Sequence, residues 1–177
     1  MKTVFTNEVF KLKNKPHVDK KTVNAFLGRI ESDKGLTKEQ NKFEHFCSFF
    51  LPFDTESQSV YLGHHIKADD WIPPGGHIKL EETPVQTVYR EFAEELGHKL
   101  TNEPIELFDL SIKDVSGNPQ HQCRRHYDFW YVVHILKIDF QFDRVEFYDA
   151  GWFTLPEAKK KTKLKLYNNN IQKLKLL

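Results

Sequence analysis

The chain has 177 residues, 39% of them hydrophobic and 14% aromatic, with 15 Phe. That length and composition suit one domain of ordinary size with a sizeable core. Its 26 basic and 25 acidic residues leave a net charge of +1, which gives no electrostatic reason to expect non-specific binding to nucleic acid or membrane, so an anionic ligand needs a local site.

Two cysteines, Cys47 and Cys123, form no Cys-x-x-Cys pair. Neither a disulfide framework nor a structural zinc site is therefore expected, and a reducing compartment is. Cys47, in HFCSFF, reads as a small core hydrophobe, whereas Cys123 lies in the polar stretch HQCRRH. MKTVFTNEVFKLKNK offers no apolar run for a signal peptide, and no stretch approaches the ~20 apolar residues of a membrane span. A cytoplasmic protein is expected.

In chain order, residues 1–42 are polar and Lys-rich. Within them VNAFLGRI places Val23, Phe26, Leu27 and Ile30 on one helical face, and Gly35 marks a break. This predicts an N-terminal helical extension over 1–42, packed on a main domain over 43–177. FEHFCSFFLPF and VYLGHHI read as two strands joined by the polar turn DTESQS. WIPPGGHI, with Pro73, Pro74, Gly75 and Gly76, predicts a tight irregular loop. A well-marked helix follows: Thr83 as N-cap, Pro84 at the first helical position, Gln86 completing a capping box, Leu96 as the last residue and Gly97 as the stop. Val85, Val88, Phe92 and Leu96 form its apolar stripe. IELFDLSI and HYDFWYVVHILKI read as strands, the second apolar enough to be central. DFQFDRVEFYDAG reads as a loop, and a helix is predicted from Leu155–Pro156. The tail KKKTKLKLYNNNIQKLKLL, with Leu164, Leu166, Ile171, Leu174 and Leu176 interleaved, predicts a docked amphipathic segment more than a nucleic-acid patch. Strands and helices in this order predict a sheet covered by helices on both faces, an α/β/α sandwich.

The helix carries an electrostatic oddity. Glu91, Glu94 and Glu95 fall within an arc of about 100° beside the apolar stripe. Carboxylates three and four residues apart repel by roughly 0.2–0.5 kcal/mol per pair, and these also lie at the negative end of the helix dipole. Clustered ionised carboxylates suit a hard divalent cation, which would turn repulsion into attraction and could neutralise a substrate's phosphates.

From Gly76 the sequence GHIKLEETPVQTVYREFAEELGH follows the pattern G-x5-E-x7-R-E-U-x-E-E-x-G-U, where U is a bulky aliphatic residue. Gly76, Glu82, Arg90, Glu91, Glu94, Glu95 and Gly97 occupy its fixed positions. The chain resembles the Nudix hydrolase family, over roughly residues 43–160. Phe92 and His98 stand where Ile, Leu or Val is usual. The resemblance implies a Nudix-like mixed sheet between helices. It implies that Glu91, Glu94 and Glu95, with the carbonyl of Gly75, hold Mg²⁺ or Mn²⁺, and that Glu82 and Arg90 orient them. Bound metal lowers the pKa of water, and a free carboxylate can take the proton. In the family the base is a glutamate of the box or of a later loop, so Glu94 and Glu146, with Asp149 behind it, are the candidates here. The expected activity is hydrolysis of a diphosphate linkage in a nucleoside diphosphate joined to another group. A non-catalytic nucleotide-sensing Nudix domain is the alternative. An isoprenoid diphosphate isomerase on the same fold would need a reactive cysteine, for which Cys47 is poorly placed.

Arg125 and Arg124 could clamp phosphate, and Trp71 and Trp152 could stack on a base. His64, His65, His77 and His126 with Asp128 could be read as a metal cluster, but no spacing matches a zinc site, so one or two of them are read as substrate contacts, His126 foremost. The expected partner is a small nucleotide or nucleoside diphosphate derivative. A homodimer is left open, and neither membrane nor nucleic acid is expected. Removal of an RNA cap or 5′-triphosphate has no support in the residues.

Overall fold

A computed structural model describes residues 1–115 and 122–177. Its elements are α1 (Lys2–Leu12), α2 (Lys20–Glu31), β1 (Glu44–Asp54), β2 (Ser59–His65), β3 (Asp70–Ile72), β4 (Gly75–His77), α3 (Pro84–Leu96), β5 (Ile105–Asp114), β6 (Arg125–His134), β7 (Phe147–Thr154), α4 (Leu155–Lys161) and α5 (Lys165–Lys173), with a short 3-10 turn at Leu174–Leu176. The strands form one mixed seven-stranded sheet flanked by helices, ordered β3-β2-β1-β6-β5, with β4 on β1 and β7 on β2. The chain divides into two compact units. One comprises Met1–Phe49, Gly76–Val88 and Leu107–Tyr131, and the other Phe50–Gly75, Tyr89–Glu106 and Val132–Leu177.

In the first unit, α2 forms where the apolar spacing predicts it. Asp19 caps it by accepting from the Lys21 and Thr22 N–H groups at 3.3 and 3.1 Å. The helix α1 has no counterpart in the sequence reading, although Phe5, Val9 and Leu12 recur at i, i+4 and i+7 and are all buried. Its charged residues mask that stripe. Phe5 and Phe26 meet Phe46 and Phe129 edge-on or nearly so, with centroids 5.3 to 5.6 Å apart. Each such ring contributes about 1.5–3 kcal/mol by burial. Arg29, also buried, donates to the carbonyls of Gly35 (2.6 Å) and Glu44 (2.7 Å), which replaces the water it loses.

In the second unit, β2 pairs antiparallel with both β3 and β7. The strand β7 begins within the stretch that reads as a loop and runs on to Thr154, just before the predicted helix. Its outward Tyr148 and Asp149 hide the strand pattern, and pairing with β2 from Ser59↔Thr154 to His65↔Phe147 supplies the order that local sequence does not. Gly63 is required there, since a Cβ would sit 2.3 Å from the Phe147 ring. The stretch WIPPGGHI is not wholly irregular either: its ends become β3 and β4. The strand β6 stops at His134, before the predicted Ile138. On α3, Phe92 stacks on Phe50 at 5.0 Å and meets Phe140 edge-on at 5.4 Å, so it serves the packing role of the aliphatic residue it replaces. His98 is half-buried beside Phe92 and Phe140. The tail docks through Tyr167, Asn170, Ile171 and Leu174, while Leu164 and Leu176 stay exposed. Asp70 accepts from Lys163 N–H (2.9 Å) and Leu164 N–H (3.3 Å) just before α5. Among the described residues no helix is long and apolar enough to cross a membrane.

Candidate active site

The helix α3 starts and stops as its sequence predicts. Thr83 N–H donates to Gln86 Oε1 at 2.9 Å, and Gln86 N–H returns a bond to Thr83 Oγ1 at 3.3 Å. At the other end Gly97 has φ +63°, and a Cβ there would lie 2.7 Å from the Gln141 carbonyl oxygen. Near the start, Glu82 accepts from Lys79 N–H (3.1 Å) and Thr87 Oγ1 (2.9 Å). This part of the helix, with Glu82, belongs to the first unit, and Tyr89 onward to the second.

The second unit gathers Gly75, Arg90, Glu91, Glu94, Glu95 and Glu146. The three box glutamates are not equivalent. Glu95 is only 8% exposed, turned inward beside the apolar stripe, and its Oε2 accepts from the Gly75 N–H at 2.8 Å. Gly75 has φ +142°, a backbone state that side chains rarely adopt, which explains the glycine at this position. Burial pushes the Glu95 carboxyl well above the usual carboxylate range, and Glu91, Glu146 and Glu94 push it further, against the Gly75 bond. Glu91 and Glu94 share Arg90, whose Nη1 lies 2.7 Å from Glu91 Oε1 and 2.9 Å from Glu94 Oε2. The expected repulsion along this turn is therefore partly neutralised by an arginine within the motif. Glu94 is the most open of the three, its side chain 53% exposed. Glu146, which precedes β7, lies 3.4 Å from both His65 Nε2 and Lys67 Nζ. Its backbone carbonyl accepts from the Ile66 N–H at 2.8 Å, which anchors the loop. An oxygen-only donor set around a carboxylate with a raised pKa could hold a hard divalent cation, since the cation would offset a charge the buried site disfavours.

The remaining candidates are distributed. Trp71, in the second unit, stacks on His64 (5.4 Å), and Lys161 Nζ lies 4.0 Å above its ring. Trp152 donates to the Ile138 carbonyl (2.7 Å) and meets Tyr61 edge-on. Arg125 belongs to the first unit, paired with Asp114 at 2.7 Å, and Arg124 lies over Phe43. His126 is in the first unit too, grouped with His77, which the sequence also offered as a cluster member, and with His45 and Cys123, which it did not. Cys123 and His126 stand at a Cys-x2-His spacing, but no short spacing links them to His45 or His77. Their common signal is that each stands at or beside a strand terminus. Cys47 is buried, and burial raises its thiol well above the ordinary range, so it is no nucleophile.

Comparison with known proteins agrees with this architecture. The family model for the NUDIX domain matches residues 44–174. A Lactococcus lactis subsp. cremoris (strain MG1363) protein named "Probable DHNTP pyrophosphohydrolase" is 26% identical over 140 residues, covering 76% of this chain and 74% of its own. An RNA pyrophosphohydrolase of Xylella fastidiosa (strain M12) is 28% identical over 86 residues, and the match spans 44% of each chain, less than half the length of that relative. Among solved structures, the E. coli dihydroneopterin triphosphate pyrophosphohydrolase superposes with a TM-score of 0.66 at 16% identity, over 72% of this chain and 92% of that one.

Proposed function

The chain belongs to the Nudix family, and from that premise we propose that it hydrolyses a diphosphate linkage in a nucleotide or nucleotide derivative, with Mg²⁺ or Mn²⁺ held by Glu91, Glu94, Glu95 and the Gly75 carbonyl. The observation that carries this reading is the buried Glu95 carboxylate. Gly75 fixes it, like charges surround it, and a cation would relieve the cost of ionising it. Bound metal supplies an activated water near neutral pH and neutralises phosphate charge. Arg90 orients Glu91 and Glu94, and Glu82 steadies the start of the helix. Glu94, the most open box carboxylate, accepts the proton of the attacking water, with Glu146 as its competitor for that role. Trp71 is the proposed substrate contact; Arg125, paired with Asp114, and His126, whose Nε2 is shut from solvent, are not carried into that role.

The substrate class is a nucleoside triphosphate or a similar triphosphate ester. Both a sequence relative and a structural neighbour carry the name of a dihydroneopterin triphosphate or DHNTP pyrophosphohydrolase, which puts such a compound first in a panel. Residues 1–42 are a helical extension to a hydrolase domain over 43–177. Two free cysteines fit a cytoplasmic setting. The test is a panel of nucleotides and pterin triphosphates, each with Mg²⁺ and with Mn²⁺, reading release of pyrophosphate and phosphate. Metal-dependent release from at least one compound is expected, and its absence from all would point to a nucleotide sensor.

A further inference from the structure

The first unit brings together four side chains that the reaction does not use as a set. His45 lies at the start of β1, His77 ends β4, His126 is in β6, and Cys123 precedes β6. One ligand atom from each lies within 4.8 Å of every other. Cys123 Sγ is 3.7 Å from His45 Nε2 and 3.9 Å from His77 Nε2. The edge of a tetrahedron around a metal with M–S of about 2.3 Å and M–N of about 2.0–2.1 Å is ~3.6 Å, close to both values. A thiol has one proton, yet two imidazole nitrogens stand at nearly equal distance from this sulfur. The three rings surround the same point, with centroids 4.8, 4.9 and 5.2 Å apart.

The surroundings prepare the ligands. His45 Nδ1 lies 2.9 Å from the Asn41 carbonyl oxygen, which can only accept. In the neutral ring Nδ1 therefore carries the proton and Nε2 presents a lone pair toward Cys123, as in histidines oriented for metal by a backbone carbonyl. His126 Nε2 is shut from solvent and has no hydrogen-bond partner. Beyond His126 lies Asp128, buried, with its Oδ1 also unpartnered. The backbone pins the segments: Arg124 and Arg125 N–H both donate to the Phe43 carbonyl (2.8 and 3.0 Å), and Ile78 N–H to the Phe46 carbonyl (3.2 Å). Cys123 itself is 8% exposed.

We propose that His45, His77, Cys123 and His126 form a structural Zn²⁺ site, separate in chemistry from the carboxylates of α3. Three imidazoles and a thiolate are a borderline-soft set that Mg²⁺ does not favour, and four protein ligands close the tetrahedron to substrate. The ion would cross-link β1, β4 and the start of β6 within the first unit. This assignment does not depend on the proposed hydrolase reading.

The experiment uses the full chain, stripped with chelator under reducing conditions and titrated with Zn²⁺ or with Co²⁺. The expected result is one tightly held Zn²⁺ per chain. Co²⁺ should give tetrahedral visible bands and a sulfur-to-cobalt band in the near ultraviolet. At a hundredfold excess over Kd, Zn²⁺ should raise the melting temperature by roughly 5–11 °C. Cys123→Ser should remove the sulfur band and weaken binding by at least about tenfold, whereas Glu95→Gln should retain both. As a check that needs no variant, Zn²⁺ should protect Cys123 of the native protein from a thiol reagent. No stoichiometric uptake, a Co²⁺ spectrum without the sulfur band, Cys123 labelling unaffected by Zn²⁺, or loss of the spectrum in Glu95→Gln would each overturn the site.

Discussion

The two clusters of metal-capable side chains differ in donor chemistry and in how the chain assembles them. The carboxylates of the second unit lie on one helical turn, with a backbone N–H from Gly75 and a loop glutamate added. The histidine–cysteine group of the first unit comes from three segments far apart in sequence, converging on one point. Oxygen donors at helical spacing remain exchangeable and suit a hard cation that must also meet phosphate. Nitrogen and sulfur donors held by separate strands make a closed set that suits a resident ion. An active site tolerates strain that a metal and substrate relieve, while a structural site earns its place by joining segments.

The comparison breaks first on catalysis. Glu95→Gln and Glu91→Gln should each lower metal-dependent hydrolysis by at least about 10²-fold while circular dichroism remains native. Near wild-type turnover in either would remove the oxygen half of the contrast. Next comes the proton. Glu94→Gln should lower kcat by about 10²–10⁴-fold and Glu146→Gln far less, and the reverse order would move the base to the loop.

In chelator the two clusters should respond to pH with opposite sign. Glu95 has a folded pKa above its ordinary 4.5, so the folded chain keeps a proton that the unfolded chain has released. Its contribution is fully present below pH 4.5 and is lost as pH rises through the folded value. His126 is pushed down to about 2 from 6.5, by burial first and then by His77 and His45. Its contribution is present above pH 6.5 and is lost as pH falls toward 2. Burial also pushes Asp128 up to about 7, with the sign of Glu95, so differences between variants isolate each group. Melting curves across pH should show Glu95→Gln flattening the loss on the alkaline side and His126→Asn flattening it on the acid side. A Glu95→Gln profile parallel to wild type would mean that the Glu95 carboxyl is not perturbed in the apo fold.

The smallest effects sharpen the role of Arg90. Glu94→Gln relieves a like-charge contact but also weakens an i,i+4 pair with Arg90, so apo stability should change by no more than about 0.5 kcal/mol. Wild-type protein at ten times the metal Kd should gain ~1.4 kcal/mol, a rise of about 3–6 °C, and the variant should lose most of it. A variant melting far below wild type in chelator would make Glu94 a structural partner of Arg90.

The features legible without the fold are local. The bounds of α3, its capping box, the glycine stop and the face bearing Glu91, Glu94 and Glu95 all follow from neighbours within four residues, because helix geometry repeats on that scale. The family pattern is legible for the same reason. It takes packing to turn Glu95 inward to Gly75 while Glu94 stays open, because a helical wheel places both at the edge of the stripe. The tertiary structure also makes β7 a strand, through pairing with β2, and packs Phe5 of α1 against Phe46 and Phe129. The sequence offered His77 and His126 as possible cluster members and holds Cys123 three residues before His126, but the joining of these with His45 depends on strands folding beside one another, which no short spacing records.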